Sequence, residues 1–412
     1  MRQSLLPLLL APAQLLRAPP LPYPRHVGAA ARPVLPRHAE PIMNAPIDEA
    51  DVAKRVAHWC LRTPGRENAA VLVSSASSTA EMLRDFWSVS HDMGEASTPG
   101  TYAVAFPSWK AGTEPRYFQA VANHLLACGE VCEHVCDSII VSARHPAAQP
   151  TEQEPVAAPC PVILLRSFER GADFDESTDP FGPDSIFADG DDPFAEPPPP
   201  PPPPDDVLLS ETQKWVDSVI VHMKVCPFSS SVEKAGLPVG GVTYPICHSS
   251  TAEGVYKAFW SEICEMSHFN ERERATVLLI TPDFAMYAPG FFDAFADTLN
   301  AALGSLGLER GTQLVFFHPE YTFRDGKQRN GMNDDAAANY ARRSPYPMVN
   351  LLRTPQVRAA QKGIPTGSVY DLNERNLHSV GAKELQKMLE SRDWDSLKSM
   401  AFEKHNSDTW TL

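Results

Sequence analysis

The sequence predicts an α/β protein: two tandem, similar βαβαβ units with largely parallel sheets, joined by an acidic, proline-rich linker. Three observations carry this. Short apolar runs alternate with amphipathic helical stretches, as βαβ units require. Blocks recur along the chain: Ser77-Ser78-Thr79-Ala80-Glu81 as Ser249-Ser250-Thr251-Ala252-Glu253, Phe86-Trp87-Ser88 as Phe259-Trp260-Ser261, Tyr117-Phe118 as Phe291-Phe292, and His145-Pro146 as His318-Pro319, with displacements of 172 to 174 residues. Between the two sets, Gly171 to Asp206 carries eleven acidic residues, no basic one, and eight consecutive prolines from Pro197 to Pro204.

Residues 1–45 read as a cleaved targeting segment. Arg2, Arg17, Arg25, Arg32 and Arg37 are spread among Leu, Ala and Pro, and no acidic residue precedes Glu40, the pattern of a mitochondrial transit peptide. The alternatives are a cytoplasmic product from an internal start and a secretory signal; Pro7 and Pro12 interrupt the apolar run that a signal would need.

Residues 46–170 form the first, diverged unit. A helix over Asp51–Cys60 leads to strands at Ala70–Ser74, Tyr102–Phe106 and Ser138–Ala143, with helices over Ala80–Met93 and Tyr117–Cys128 between them. Residues 171–206 are predicted to be a disordered acidic linker ending in a polyproline II spacer. Its repeated Asp179-Pro180-Phe181 and Asp192-Pro193-Phe194 make it a candidate dock for a protein partner. Residues 207–412 form the second unit. Ser210 and Gln213 suggest a capping box for a helix with Trp215, Val219, Met223 and Cys226 on one face. Strands are expected at Val242–Cys247, Thr276–Thr281 and Gln313–Phe317, and helices over Ala252–Met266, Gly290–Leu303, Met348–Gln361 and Ala382–Met400.

A net charge of −15 with no clustered Lys or Arg argues against nucleic acid as a partner. No apolar stretch is long enough to span a membrane. Eight irregularly spaced cysteines do not make a disulfide framework. His124, Cys128, Cys132 and Cys136 would line one helical stripe, but Ala302 and Leu306 replace two of them in the second unit, so they read as core residues rather than metal ligands.

A ligand chemistry kept by one unit should leave polar residues that the other lacks, and the second unit holds them. They lie in Cys226-Pro227-Phe228, in Phe317-His318-Pro319-Glu320-Tyr321-Thr322-Phe323, and in Arg342-Arg343-Ser344-Pro345-Tyr346-Pro347. His318 falls at the carboxyl end of a strand, the edge where ligands collect in α/β sheets. Pro347 before an apolar run suggests a helix start whose free N–H groups, with Arg343, would welcome an anion. Arg324, Lys327, Arg329 and Arg342 add positive potential nearby. Cys226 and His318 are the candidate nucleophile and base; the competing readings are a packed thiol and a turn-shaping histidine. A metal set of His318, Glu320, Asp334 and Asp335 has no diagnostic spacing, so no metal is assigned and the cofactor is unknown.

In these same segments the chain resembles a mainly bacterial family of unknown function, domain-of-unknown-function family fourteen-fifteen. The matching pieces are Cys226-Pro227-Phe228, Phe317 to Phe323, Arg343 to Pro347 and Leu351-Leu352-Arg353, across roughly Ser210 to Val380. The resemblance implies a fold and a site without naming a substrate. It also implies His where this chain has Asn350 and Glu where it has Thr354. The first unit keeps Leu164-Leu165-Arg166, which leaves Arg353 open as a structural or a ligand residue.

The expected function is a mitochondrial protein whose second unit binds a small anionic molecule through Tyr321, Arg343, Ser344, Tyr346 and Arg353, with Cys226 and His318 as catalytic candidates. If it is an enzyme, it is a Cys-dependent transferase or hydrolase. The alternative is a non-catalytic ligand-binding or structural pseudo-dimer.

Overall fold

Between Glu49 and Ser167 the chain builds α1 (Glu49–Leu61), β1 (Ala70–Val73), α2 (Thr79–Ala96), β2 (Gly100–Ala105), α3 (Pro115–Cys128), β3 (Ile139–Arg144) and β4 (Val162–Ser167). This computed structural model describes residues 48–404, apart from 64, 97–99, 133–134, 136–138, 150, 152–155, 168–199, 227–228, 236–239, 324–335 and 362–365. The expected targeting segment, both Asp-Pro-Phe repeats, the acidic part of the expected linker and Arg324, Lys327, Arg329, Asp334 and Asp335 lie outside the described residues.

The rest comprises α4 (Asp205–Trp215), a π-helical continuation (Val216–His222), β5 (Val242–Thr243), α5 (Ala252–His268), β6 (Thr276–Ile280), α6 (Pro289–Ser305), β7 (Thr312–Phe317), β8 (Met348–Arg353), α7 (Thr354–Ala360), α8 (Thr366–Val380) and α9 (Ala382–Ser391). The two four-stranded sheets have one order, β1-β2-β4-β3 and β5-β6-β8-β7. In each, the first two strands pair in parallel and the last-formed strand inserts antiparallel to both its neighbours. The expectation of largely parallel sheets is therefore met only in part.

The inserted strand is what the sequence reading missed. Met348-Val349-Asn350-Leu351-Leu352 is a strand, not the start of a helix: Val349 and Leu351 enter the central core while Asn350 and Leu352 face a cavity on the other side, the period of two that defines a strand. The helix starts later, with a proline in its first turn at Pro355. Strand β5 is shorter than expected because Pro245 interrupts the run, leaving only an isolated bridge from Ile246 to Ile280. Helix α4 begins at Asp205, directly after the proline run, so Ser210 lies inside it rather than at its cap.

Register also corrects the alignment of the two halves. Leu164 pairs with Ala103, and Asn350 pairs with Leu278, at equivalent places in the two sheets. Leu165 and Leu351 both face the central core, so Arg166 corresponds to Leu352 and Ser167 to Arg353. Equating Leu164-Leu165-Arg166 with Leu351-Leu352-Arg353 slips one residue and would exchange the faces of the strand.

Four helices lie between the sheets. Helix α2 packs on α5 and α3 on α6, and their apolar stripes join the inner faces of both sheets in one core. Trp87 of α2 stacks on Tyr256 of α5 with centroids 4.5 Å apart, and both are fully buried. The outer faces differ. On the first sheet α1 packs Val52, Val56, Trp59 and Cys60 against Ala103, Ala105, Val162 and Leu164. On the second, α4, the π segment, α8 and α9 pack around Trp215, Met348 and Leu377, and part of the sheet between them stays open as a cavity.

Candidate functional site

His318 shapes a turn. It is 2 % exposed at the end of β7. Its Nδ1 accepts the Glu320 N–H at 3.1 Å, which leaves Nε2 to donate to the Ala285 carbonyl at 2.9 Å. Ala285 is a non-glycine residue at φ 55°, so the imidazole fastens a strained turn. Burial lowers the pKa of His318 and keeps the ring neutral. His145 repeats the arrangement: Nδ1 accepts from Ala147 at 3.0 Å and Nε2 faces the Thr113 carbonyl at 3.1 Å. The rings lie 5.1 Å from Phe118 and 5.3 Å from Phe292.

Cys226 and His318 line different cavities. With both ring nitrogens engaged by backbone, His318 has none left to take a proton from a thiol. His318→Ala is expected to cost about 1–3 kcal/mol in urea unfolding, because it strands a buried carbonyl and N–H, while iodoacetamide labels native Cys226 at an unchanged rate.

The remaining predicted residues divide between structural duties and two cavities. Ser344 is fully buried and its Oγ donates to the Tyr346 carbonyl at 2.6 Å. The Tyr346 hydroxyl donates to Glu211 at 2.5 Å, and the Arg392 guanidinium lies over its ring. Neither sits at a helix N-terminus, since Pro347 leads into β8. Arg353 donates to the carbonyls of Arg274, Met266 and Phe269 at 2.8, 2.6 and 2.8 Å, binding the last turn of α5 where carbonyls lack helical partners. Arg343 donates to the Tyr321 carbonyl and the Tyr340 hydroxyl, both at 3.1 Å, and stacks on the Tyr340 ring.

The cavity beside His318 encloses about 440 Å³ among Pro289, Asp293, Glu320, Tyr321, Thr322 and Arg343. Its two carboxylates oppose an anion there. The second cavity, about 340 Å³, lies against the outer face of the second sheet. Its floor is Thr276 of β6, Gln313, Val315 and Phe317 of β7, and Asn350 and Leu352 of β8; Ile220, Val225, Cys226, Phe323, Arg342, Val357 and Tyr370 stand around it. Among the described residues, two arginines and no carboxylate line this space.

Arg342 faces this cavity while its neighbour Arg343 faces the other. Its guanidinium lies 5.3 Å from the Tyr321 ring centre and 5.5 Å from that of Phe323, and Nη1 donates to the Tyr321 hydroxyl at 3.2 Å. Among the described residues it forms no ion pair. Asn350 is oriented from behind: the Thr276 hydroxyl donates to its Oδ1 at 3.1 Å, so its NH₂ is the end left to donate. The first half has Leu164, 3 % exposed beneath α1, at this position.

Sequence reasoning gave Arg342 only as part of a basic loop and missed Thr276 and Gln313. Their signal was present: polar residues at alternate positions of otherwise apolar strands, on the face opposite the core. Thr354, the other departure noted from the family pattern, is fully buried and donates to the Glu309 carbonyl at 2.7 Å, an anchoring role. No cluster of three or more His, Cys, Asp or Glu placed to hold a metal occurs among the described residues. Cys128 and His124 are core groups: burial pushes the thiol up to about 12 and the imidazole down to about 4. No helix of the described residues is long and apolar enough to cross a membrane.

A family model described as "Protein of unknown function (DUF1415)" matches residues 207–387, the span that contains both cavities. Comparison with curated proteins and with solved structures found no match.

Proposed function

We propose that the second half is a binding module for a small amphipathic acid, held in the cavity over Asn350 with its anionic group at Arg342. The observation that carries this reading is the lining: among the described residues, a largely apolar space with two arginines, the oriented amide of Asn350 and no carboxylate. Its volume of about 340 Å³ lies at the small end of the roughly 300–1,000 Å³ range of ligand sites, which suits one short acyl or aryl acid. Stacking on Tyr321 and Phe323 pre-orients Arg342, so little side-chain entropy is lost when an anion arrives.

Octanoate is the probe, and octylamine, of similar length and opposite charge, the control. Saturation-transfer NMR is expected to detect octanoate on the full chain and to detect no octylamine. Arg342→Gln should weaken octanoate by about 10–100-fold, the worth of one charge-assisted hydrogen bond. Equal binding of both probes, or indifference to Arg342→Gln, would refute the reading.

A second reading, thiol-dependent chemistry, is favoured by the place of Cys226 in the same wall. It requires that octanoate protect Cys226 from iodoacetamide and that Cys226→Ser abolish turnover of an acyl donor. Under the binding reading, Cys226→Ser leaves octanoate affinity unchanged.

The two halves are, in this proposal, diverged copies of one unit, the first with its site filled in by α1 and Leu164. The shared strand order and the paired His145 and His318 turns support this. A mitochondrial address remains part of the proposal, resting on the arginine-rich, acid-free leader.

A further inference from the structure

His248 lies in the loop between β5 and α5, away from the Asn350 cavity. Its Nε2 is 2.7 Å from Asp205 Oδ1 and its Nδ1 is 2.8 Å from Asp283 Oδ2. Asp205 is the first residue of α4, immediately after the proline run, and Asp283 lies in the loop that follows β6. These two carboxylates are the charged groups that face the ring, and neither pairs with a Lys or Arg among the described residues.

A neutral imidazole has one N–H and one lone pair. Between two ionised carboxylates, which only accept, the neutral ring would satisfy one and turn its lone pair on the other. The arrangement is therefore that of an imidazolium. Consistent with this, hydrogen bonds to Asp205 and Asp283 raise the pKa of His248.

The clamp sits where the helix has little other support. Pro204 offers α4 no side-chain cap, and the first turn is otherwise tied by Val207 and Leu208 N–H to the Pro204 carbonyl, each at 3.0 Å. From Leu208 onward the helix is anchored by Leu208 and Trp215 in the core, so the clamp acts on the residues ahead of Leu208. The proline run adjoins a groove that includes Pro202, Pro203, Met286 and Tyr287, and Tyr287 is 59 % exposed.

We propose that His248 is a pH-sensitive fastener: as imidazolium it ties the start of α4, and with it the polyproline segment, to the loop after β6, and on losing a proton it releases Asp205. Asp205 is the side that lets go because its side chain is 69 % exposed, against 24 % for Asp283. The linkage sign follows from a raised folded-state pKa. The tie is fully present below the unfolded value of about 6.5 and is lost as pH rises through the folded value.

The test uses the full chain. NMR titration of the His248 Cε1–H should give a pKa above about 6.5, falling in Asp205→Asn and in Asp283→Asn. Exchange protection of the Val207 and Leu208 amides, corrected for intrinsic rates, should drop about two- to fivefold from low to high pH, the range expected for an exposed ion pair. His248→Lys, whose charge persists, should hold the protection at both ends, and His248→Ala should lack it at both. A His248 pKa at or below the unperturbed value, or protection at Val207 and Leu208 that is independent of pH in the wild type, would overturn the inference.

Discussion

Trp87→Ala is expected to lower the stability of the chain by about 3–5 kcal/mol and to do so in a single transition that takes both halves. Trp87 belongs to α2 in the first half, yet its ring stacks on Tyr256 in the second, inside a core that runs from the first sheet to the other without a break. Truncation leaves a void about the size of an indole where the fully buried Trp87 packs on Tyr256. Among the described residues the indole N–H has no hydrogen-bond partner, so the cost is one of packing. Urea unfolding followed by far-UV circular dichroism checks this. Two separate transitions, with only the earlier one moved, would mean that the halves fold independently and merely touch.

Asn350→Leu is expected to reduce octanoate binding by at least about tenfold while leaving stability within about 1 kcal/mol. The substitution recreates the first half, where Leu164 occupies the equivalent register position. It removes the Asn350 amide from a strand floor whose other amide is Gln313, and fills polar space with methyl groups. Thr276 is not stranded, because its hydroxyl also reaches the Leu351 carbonyl at 3.0 Å. Isothermal titration with octanoate, alongside urea unfolding of the same variant, separates a lost ligand contact from a damaged fold. Unchanged binding would remove Asn350 from the site.

Much of the fold is legible in the sequence where a local period decides it. Strands β1, β2, β3, β6 and β7 and helices α1, α2, α3, α5 and α6 fall where alternation and helical spacing put them. What escaped was decided by pairing at long range. Strands β4 and β8 read locally as short apolar runs, and only the loop that brings each back between its two neighbours makes it the third strand of the sheet. Taking β8 for a helix then manufactured a helix N-terminus at Pro347 and drew the anion toward Arg343 and Ser344. Arg343 proved to be tied to Tyr321 and Tyr340, while its neighbour Arg342 faces the cavity over Asn350. Two successive residues at the end of a tight turn line different cavities, and no periodicity says which faces which.

The halves also show why repetition alone does not point to the proposed site. His145 and His318 recur because both hold a turn together, so the more conspicuous residue is the structural one. The informative difference lies between Leu164 and Asn350, single residues inside apolar strands. It became visible only when register aligned the faces.

The most direct test of the account is the location of bound octanoate on the full chain, from intermolecular NOEs to ¹³C-labelled methyl groups. Contacts to Val315, Leu352 and Val357, lost in Arg342→Gln, are the predicted result. Contacts confined to Thr322 and its neighbours beside His318, with none at Val315 or Leu352, would contradict it and move the site to the other cavity.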